Sequence, residues 1–141
     1  MKKIFTFIVG ALFLFLTTCS ESKHDEALKR LDGLATEVST CTNQEEFDMV
    51  YEKIIVVQHD ENFKAYQRQT QEQKTEIVKG ITDLTLRALA AKAILYVKSV
   101  EIQLTKNDMK TLIEQCMQKK LNTTVPPYKE VKTLVEEYYQ K

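Results

Sequence analysis

The sequence predicts an all-α fold, a small bundle of about five helices. Two observations favour this fold. Beyond residue 18 the chain contains only four residues that break helices, Gly33, Gly80, Pro126 and Pro127. In the stretches between them, apolar residues recur at spacings of three and four, which is the period of an amphipathic helix. Short connections between such helices favour a compact bundle of antiparallel neighbours.

The first helix is predicted to run from about Asp25 to Thr40. Its apolar face comprises Ala27, Leu28, Leu31, Leu34, Ala35 and Val38. Thr42 and Glu45 have the spacing of a capping box, in which each side chain binds the backbone N–H of the other residue. A second helix is therefore predicted from there to about Gln58, with an inward face of Phe47, Val50, Tyr51, Ile54 and Val57.

The segment HDENFKAY is predicted to restart a short helix with Asp60 as its N-cap. Residues 67–76 contain no large apolar side chain, which predicts a solvated connection or an exposed first helical turn. Thr70 and Gln73 again fit a capping box. The longest helix follows and ends near Lys98, with a core face of Ile77, Ile81, Leu84, Ala88, Ala91 and Leu95.

Residues 99–104, SVEIQL, alternate apolar and polar side chains as a strand would. Because a lone strand has no evident partner, a continued helix or an extended link is the preferred interpretation. Thr105 or Asn107 caps the next helix, whose apolar face is Met109, Leu112, Ile113, Cys116 and Met117. Pro127 suits a first helical position and opens a last helix with Val131, Leu134, Val135 and Tyr138 inward.

The N-terminus has the three zones of a secretory signal. Lys2 and Lys3 precede an uncharged apolar run of thirteen residues, 4–16, and small polar residues follow. Thirteen residues are too few to span a bilayer core, which takes about 20 helical residues, but they suit the apolar zone of a signal peptide. A buried core helix is the alternative. It would be apolar on every side, so export is the preferred interpretation.

Residues 16–19, LTTC, resemble the lipobox of bacterial lipoproteins, in which a leucine stands three residues before the cysteine. The resemblance implies that Cys19 acquires a diacylglyceryl thioether and, after cleavage, an N-acyl chain. It covers residues 1–19 only, and Thr18 departs from the Gly, Ala or Ser that is usual there. Ordinary signal cleavage after Ser20 is the alternative.

The resemblance divides the chain into a signal peptide at 1–18, a lipidated tether at 19–25 and a helical domain at 26–141. It also implies a location in the cell envelope. Ser20 is not the aspartate that often retains such lipoproteins in the inner membrane, which favours the outer membrane.

The charge of the chain argues against a nucleic-acid partner. The full sequence has 20 basic and 20 acidic residues, and removing Lys2 and Lys3 leaves 18 basic against 20 acidic, a net charge of −2. Binding to phosphate backbones requires clustered lysine and arginine, and no such block is evident.

Two cysteines remain after Cys19. Because an exported protein meets an oxidising compartment, Cys41 and Cys116 are candidates for a disulfide. The alternative, which is preferred, is a pair of buried free thiols that behave as small apolar side chains.

The two histidines begin similar segments, HDE at 24–26 and at 59–61. Imidazole and carboxylate groups are zinc ligands, so His59 and Asp60 are candidate metal ligands. However, adjacent residues of a helix point about 100° apart and do not converge readily on one ion. Solvated charges at two helix starts are therefore the preferred interpretation, with no metal.

Tyr138 and Tyr139 are consecutive, so both cannot face inward on one helix. Tyrosine is enriched at interfaces, which makes Tyr139 a candidate interface residue. The alternative is a tyrosine that covers the end of the bundle.

The sequence contains no glycine-rich phosphate loop, His-Glu-x-x-His run or serine elbow. We therefore expect a non-enzymatic binding or scaffolding domain, with no cofactor besides the lipid on Cys19. Its expected partners are the membrane, through the lipid anchor, and another envelope protein. A small-ligand or metal-binding envelope protein is the alternative, and an enzyme without a recognisable motif is the second.

Overall fold

The computed structural model describes residues 19–60, 70–121 and 128–140. Within these ranges the chain forms five helices and no strand, which confirms the predicted all-α fold. The helices are α1 (Cys19–Ser39), α2 (Gln44–His59), α3 (Gln71–Val97), α4 (Lys106–Gln118) and α5 (Tyr128–Tyr139). The predicted signal peptide at 1–18, the short helix after Asp60 and the helix-opening Pro127 lie outside the described residues.

Side-chain caps fix the starts of three helices. The capping box of Thr70 with Gln73 opens α3 as predicted, and Thr105 caps α4 with Asp108 as its partner. The predicted cap of α2 is wrong by one residue. Asn43 is the N-cap, its side chain accepting from the N–H of Glu46 at 2.9 Å.

The carboxylate of Glu46 reaches back to the residue before this cap. It accepts from the backbone N–H of Thr42 at 2.8 Å and from its hydroxyl at 3.1 Å. These hydrogen bonds, the backbone one first, lower the pKa of Glu46. Threonine at 42 therefore contributes to the start of α2, but as a donor to the carboxylate and not as the cap.

The helix α1 begins six residues before the predicted start at Asp25. Residues 19–25, predicted as a tether, are helical, and Nε2 of the buried His24 lies 2.8 Å from the Glu76 carboxylate of α3, within hydrogen-bond distance. A polar sequence becomes helical here because a partner helix lies alongside it, which an argument from apolar periodicity does not capture.

The central element is α3, which packs against each of the other four helices. Small and branched side chains let neighbours approach it from several sides. Its buried residues are Ile77, Leu84, Ala88, Ala90, Ala91, Ala93, Ile94 and Leu95. At Gly80 the backbone of α3 lies so close to the Leu31 side chain of α1 that a Cβ there would be 2.9 Å from a methyl carbon of Leu31.

Contacts between side chains give the direction of each helix. Arg30 pairs with Asp60 and Glu37 with Lys53, so α1 and α2 are antiparallel. His24 meets Glu76 and Leu31 meets Gly80, so α1 and α3 run parallel. We call the end of the bundle where α1 and α3 begin the Cys19 end, and the opposite end the far end.

Two further contacts give the directions of α4 and α5. Arg87 of α3 pairs with Glu114 of α4, and Asp108 at the start of α4 binds Tyr138 near the end of α5. Thus α4 points towards the Cys19 end, and α5 points away from it. The five helices therefore alternate in direction along the chain, as short connections favour.

The segment between α3 and α4 is neither a strand nor a continued helix: it begins with a turn in which the N–H of Ile102 donates to the carbonyl of Ser99 at 3.1 Å, and residues 102–105 are irregular. Val100 is fully exposed, whereas Leu104 is buried in the core. One inward prediction for α2 is wrong, because Tyr51 is exposed and stacks on Phe47 with ring centroids 5.7 Å apart.

Candidate functional site

An open groove of about 450 Å³ lies along the seam between α1 and α2. Its lining combines four apolar and three charged side chains, which are Leu34, Met49, Val56 and Val57, and Arg30, Glu52 and Lys53. Met49 and Val56 are 60% and 59% exposed. Pockets with an apolar lining and a few placed polar groups are the usual form of binding sites.

Ion pairs cross the seam at both ends of this groove. Arg30 of α1 contacts Asp60 at 3.0 Å, and Lys53 of α2 contacts Glu37 at 2.9 Å. Arg30 and Glu37 are seven residues apart, which corresponds to about 10 Å along a helix. The pairs therefore hold α1 and α2 in register and limit the length of the groove.

The groove arises because α2 carries more apolar residues than the core uses. Phe47, Val50, Ile54 and Val57 form its buried stripe. Met49 and Val56 are seven residues apart, so they lie on one flank of that stripe, while Tyr51 and Ile55 lie on the other. Large apolar side chains that repeatedly stay exposed on one helix indicate a contact surface.

A second hollow of about 210 Å³ continues the seam towards the far end and shares Met49 and Lys53 with the groove. Its lining also includes Cys41, a buried thiol that donates to the carbonyl of Glu37 at 3.3 Å. Burial, with Glu46 and Glu37 nearby, raises the pKa of the Cys41 thiol to about 11. The thiol is therefore protonated at neutral pH, which makes it a poor nucleophile.

Cys41 and Cys116 are both free and buried, so the candidate disulfide is not formed in this structure. Cys41 lies with Lys106 in the second hollow. Cys116 is ten residues further along α4, about 15 Å at the rise of a helix. Burial raises the pKa of the Cys116 thiol to about 11 as well.

Tyr139 belongs to a hydrogen-bonded cluster at the far end. The Tyr138 hydroxyl donates to Asp108 Oδ1 at 2.9 Å, and the Tyr139 hydroxyl donates to Oδ2 at 3.2 Å. The two rings meet edge to face, with centroids 5.1 Å apart. Both side chains are half-buried, so they cover this end of the bundle together.

Burial, hydrogen bonds and the charge of Asp108 determine which groups of this cluster are ionised. Burial opposes ionisation of Asp108, but hydrogen bonds from the Thr105 N–H and the tyrosine hydroxyls outweigh it and lower the pKa of Asp108. Burial and the adjacent carboxylate raise the pKa of Tyr139 to about 12. The cluster therefore holds an ionised carboxylate and neutral tyrosines at neutral pH.

The remaining candidate residues do not converge on one site. His59 is exposed at the end of α2, and the Asp60 carboxylate accepts from Arg30. No group of three His, Cys, Asp or Glu residues within 19–60, 70–121 and 128–140 is arranged to hold a metal ion. Cys19 is the first residue of α1, and its side chain lies outside the described residues.

Sequence reasoning missed the groove. The available signal was the i, i+7 pair Met49 and Val56 beside an already complete apolar stripe on α2.

Within the described residues, none of the helices combines the length and apolar character needed to cross a bilayer. Comparisons of the chain with protein-family models, curated proteins and solved structures gave no match.

Proposed function

We propose that this chain is a membrane-anchored envelope lipoprotein whose helical domain binds another envelope protein without catalysing a reaction. The observation that carries the binding role is the groove between α1 and α2, where Met49 and Val56 remain exposed beside a complete core stripe. The LTTC motif supports the anchor, because it places Cys19 where lipoproteins are acylated. The outer membrane is the preferred location.

The anchor is tested by replacing Cys19 with alanine. The variant should lose the mass of the acyl groups and leave the membrane fraction, measured by intact-protein mass spectrometry and fractionation of cells. Cys116→Ala is the matched control, since it removes a thiol that is buried within the core. Membrane partition and mass unchanged by Cys19→Ala would refute the anchor.

The groove fits one amphipathic helix of a partner protein. Its length of about 10 Å between the two ion pairs accommodates apolar side chains from two successive turns. Arg30 and Lys53 keep 45% and 56% of their side chains exposed despite their ion pairs. They can therefore accept a second carboxylate, so we expect acidic residues beside the apolar face of that helix.

A second copy of the chain is the rival occupant. A two-fold axis between Glu52 and Lys53 would oppose these charges and pair Met49 of one copy with Val56 of the other. This pairing requires antiparallel α2 helices, so the two Cys19 ends would point in opposite directions. Two anchors in one bilayer allow that arrangement only when both α2 helices lie along the bilayer surface, which favours a different protein.

Site-specific cross-linking tests the groove in intact cells. A photoreactive residue at Val56 should give one dominant adduct with a different envelope protein, identified by mass spectrometry. The control is the same residue at Val100, which is fully exposed but lies at the far end, outside the groove. Equal adducts from both positions, or an adduct of two copies of this chain, would refute the proposed occupant.

A small apolar ligand is the second candidate, because about 450 Å³ lies within the range of small-molecule sites. The fluorescent anion 1-anilinonaphthalene-8-sulfonate matches an apolar lining that includes Arg30 and Lys53. Saturable binding to the wild type that Val56→Glu abolishes and Val100→Glu retains would favour this candidate over a protein partner. Non-saturable binding, or binding that both variants retain, would remove it.

A further inference from the structure

The wall of the groove contains an exposed methionine. Met49 is 60% exposed, whereas Met109 is fully buried and Met117 is partly buried against the core. Met1 lies outside the described residues. Met49 is therefore the most accessible of the three methionines that the structure describes, and an accessible thioether can be converted to the sulfoxide by an oxidant in solution.

Cys41 lines the second hollow with Met49 but is a poor competitor for an oxidant. The residue is 2% exposed, and burial raises the pKa of its thiol to about 11. About one such thiol in ten thousand is then ionised at neutral pH. Oxidation of cysteine proceeds through the thiolate, so Met49 is the more reactive of these two side chains.

Met49 lies where the groove and the second hollow meet. It lines both of them together with Lys53, which is four residues further along α2. Side chains four residues apart on a helix are neighbours, with Cβ atoms about 5 to 6 Å apart. Lys53 donates to the Glu37 carboxylate at 2.9 Å and is 56% exposed, so its ammonium group has further donors to offer. A polar atom on Met49 would therefore lie within reach of that group.

We propose that Met49 is an oxidation site and that its conversion to the sulfoxide releases the partner helix from the groove. The oxidant is a hydroperoxide, which transfers one oxygen atom to the Met49 thioether. A lone pair of the sulfur forms the S–O bond while the O–O bond breaks. The sulfur is oxidised by two electrons, and hydrogen peroxide is reduced to water. The release rests on the proposed binding role of the groove.

The sulfoxide weakens binding in two ways. Its oxygen is a hydrogen-bond acceptor, and an apolar side chain of the partner would have to remove water from it. Burying an unpaired polar group in this way reduces binding by roughly fivefold to a hundredfold. The oxygen also competes for Lys53 with the carboxylate that we expect beside the apolar face of the partner helix.

The first test measures which side chains react. The full-length protein purified from cells is treated with hydrogen peroxide at neutral pH, and its peptides are followed by mass spectrometry. Met49 should gain oxygen roughly tenfold faster than Met109 or more, because a fully buried side chain reacts only when the fold opens locally. Oxidation of Met117 or Cys41 before Met49 would overturn the proposed site.

The same treatment in urea is the control for this test. The unfolded chain exposes all of its methionines, so Met49 and Met109 should then react at similar rates. If Met49 reacts faster in urea by the same factor, the fold is not the cause of the difference and the proposal fails.

The second test measures the effect on the groove in intact cells. Cells that carry a photoreactive residue at Val56 are treated with hydrogen peroxide before illumination, and the adduct should decrease by roughly fivefold or more. Met49→Leu should retain the adduct, because leucine has a similar volume and takes up no oxygen. Met117→Leu is the matched control, since it removes a methionine that lies outside the lining of the groove and should leave the decrease unchanged.

The outcomes separate this inference from the proposed function. If untreated cells give no adduct from Val56, the proposed partner is refuted, and the peptide measurements still decide whether Met49 is the oxidation site. An adduct that persists after Met49 has been oxidised would refute release, as would an adduct that is lost equally in Met49→Leu.

Discussion

The helices α2 and α3 differ in how completely their apolar residues are used. The central α3 buries Ala90, Ala91 and Ile94 completely, because four helices surround it. The peripheral α2 packs on α1 and α3 and leaves Met49 and Val56 exposed. Apolar side chains of α3 therefore maintain the fold, whereas those on the outer flank of α2 are available to a partner.

The largest expected effect comes from removing apolar volume, which should lower the free energy of unfolding far more in α3 than in α2. Ile94→Ala on α3 leaves a cavity in the core and should lower the free energy of unfolding by about 2 to 5 kcal/mol. Val56→Ala on α2 should change it by no more than about 0.5 kcal/mol, since it alters an exposed position. Urea unfolding monitored by circular dichroism measures both.

The proposed difference between α2 and α3 would be wrong if Ile94→Ala and Val56→Ala lowered the free energy of unfolding by similar amounts. A large loss in Val56→Ala would mean that the groove wall contributes to the core and that its exposed side chains are not reserved for binding. Val100→Ala provides the baseline for a fully exposed position.

An intermediate effect is expected in the Asp108 cluster, which joins α4 to α5. Asp108→Ala removes the partner of Thr105 in the capping box and the acceptor of two tyrosine hydroxyls. We expect a loss of about 1 to 2 kcal/mol. Asp108→Asn should lose less, because an amide oxygen still accepts hydrogen bonds.

The same cluster predicts a pH dependence with a definite sign. The folded protein lowers the pKa of Asp108, so its stabilising contribution is present above the unfolded pKa of about 4 and is lost as pH falls further. Unfolding of the wild type and Asp108→Asn between pH 2.5 and pH 6 measures this. An equal loss of stability in both proteins at low pH would assign the effect to other carboxylates.

The sequence predicted those features of the fold that depend on local pattern. The capping box at Thr70 and most of the apolar faces follow from spacing alone, whereas spacing left Thr105 and Asn107 as alternative caps of α4. The predicted cap of α2 is one residue early because Thr42 and Asn43 are both good capping residues. In the structure Asn43 has the extended backbone of a cap, with φ −148° and ψ 169°, and its side chain accepts from the N–H of Glu46.

Features that depend on neighbours could not be predicted in this way. His24 is buried because α3 runs alongside it, and its sequence surroundings are polar. In the sequence Met49 and Val56 cannot be distinguished from core residues. The structure shows that α1 leaves them uncovered in the described part of the chain. The candidate groove is therefore a property of packing between two helices and has no motif of its own.

The smallest expected effect compares two glycines, one on the exposed side of α1 and one where α3 meets α1. Gly33 has no atom within 4 Å of an added Cβ, so Gly33→Ala should gain about 1 kcal/mol from helix propensity. An alanine at Gly80 would place its Cβ 2.9 Å from a methyl carbon of the buried Leu31. Overpacking of this kind costs about 1 to 3 kcal/mol, so Gly80→Ala should not be more stable than the wild type.

A double-mutant cycle identifies the contact responsible. In a Leu31→Ala background the obstructing methyl group is absent, so Gly80→Ala should then stabilise by about the same 1 kcal/mol as Gly33→Ala. Thermal and urea unfolding of the four proteins give the coupling energy. If Gly80→Ala has the same effect in both backgrounds, the close approach of α1 and α3 does not limit residue 80. In that case the tight centre of the bundle would differ less from its open α1–α2 seam than the structure indicates.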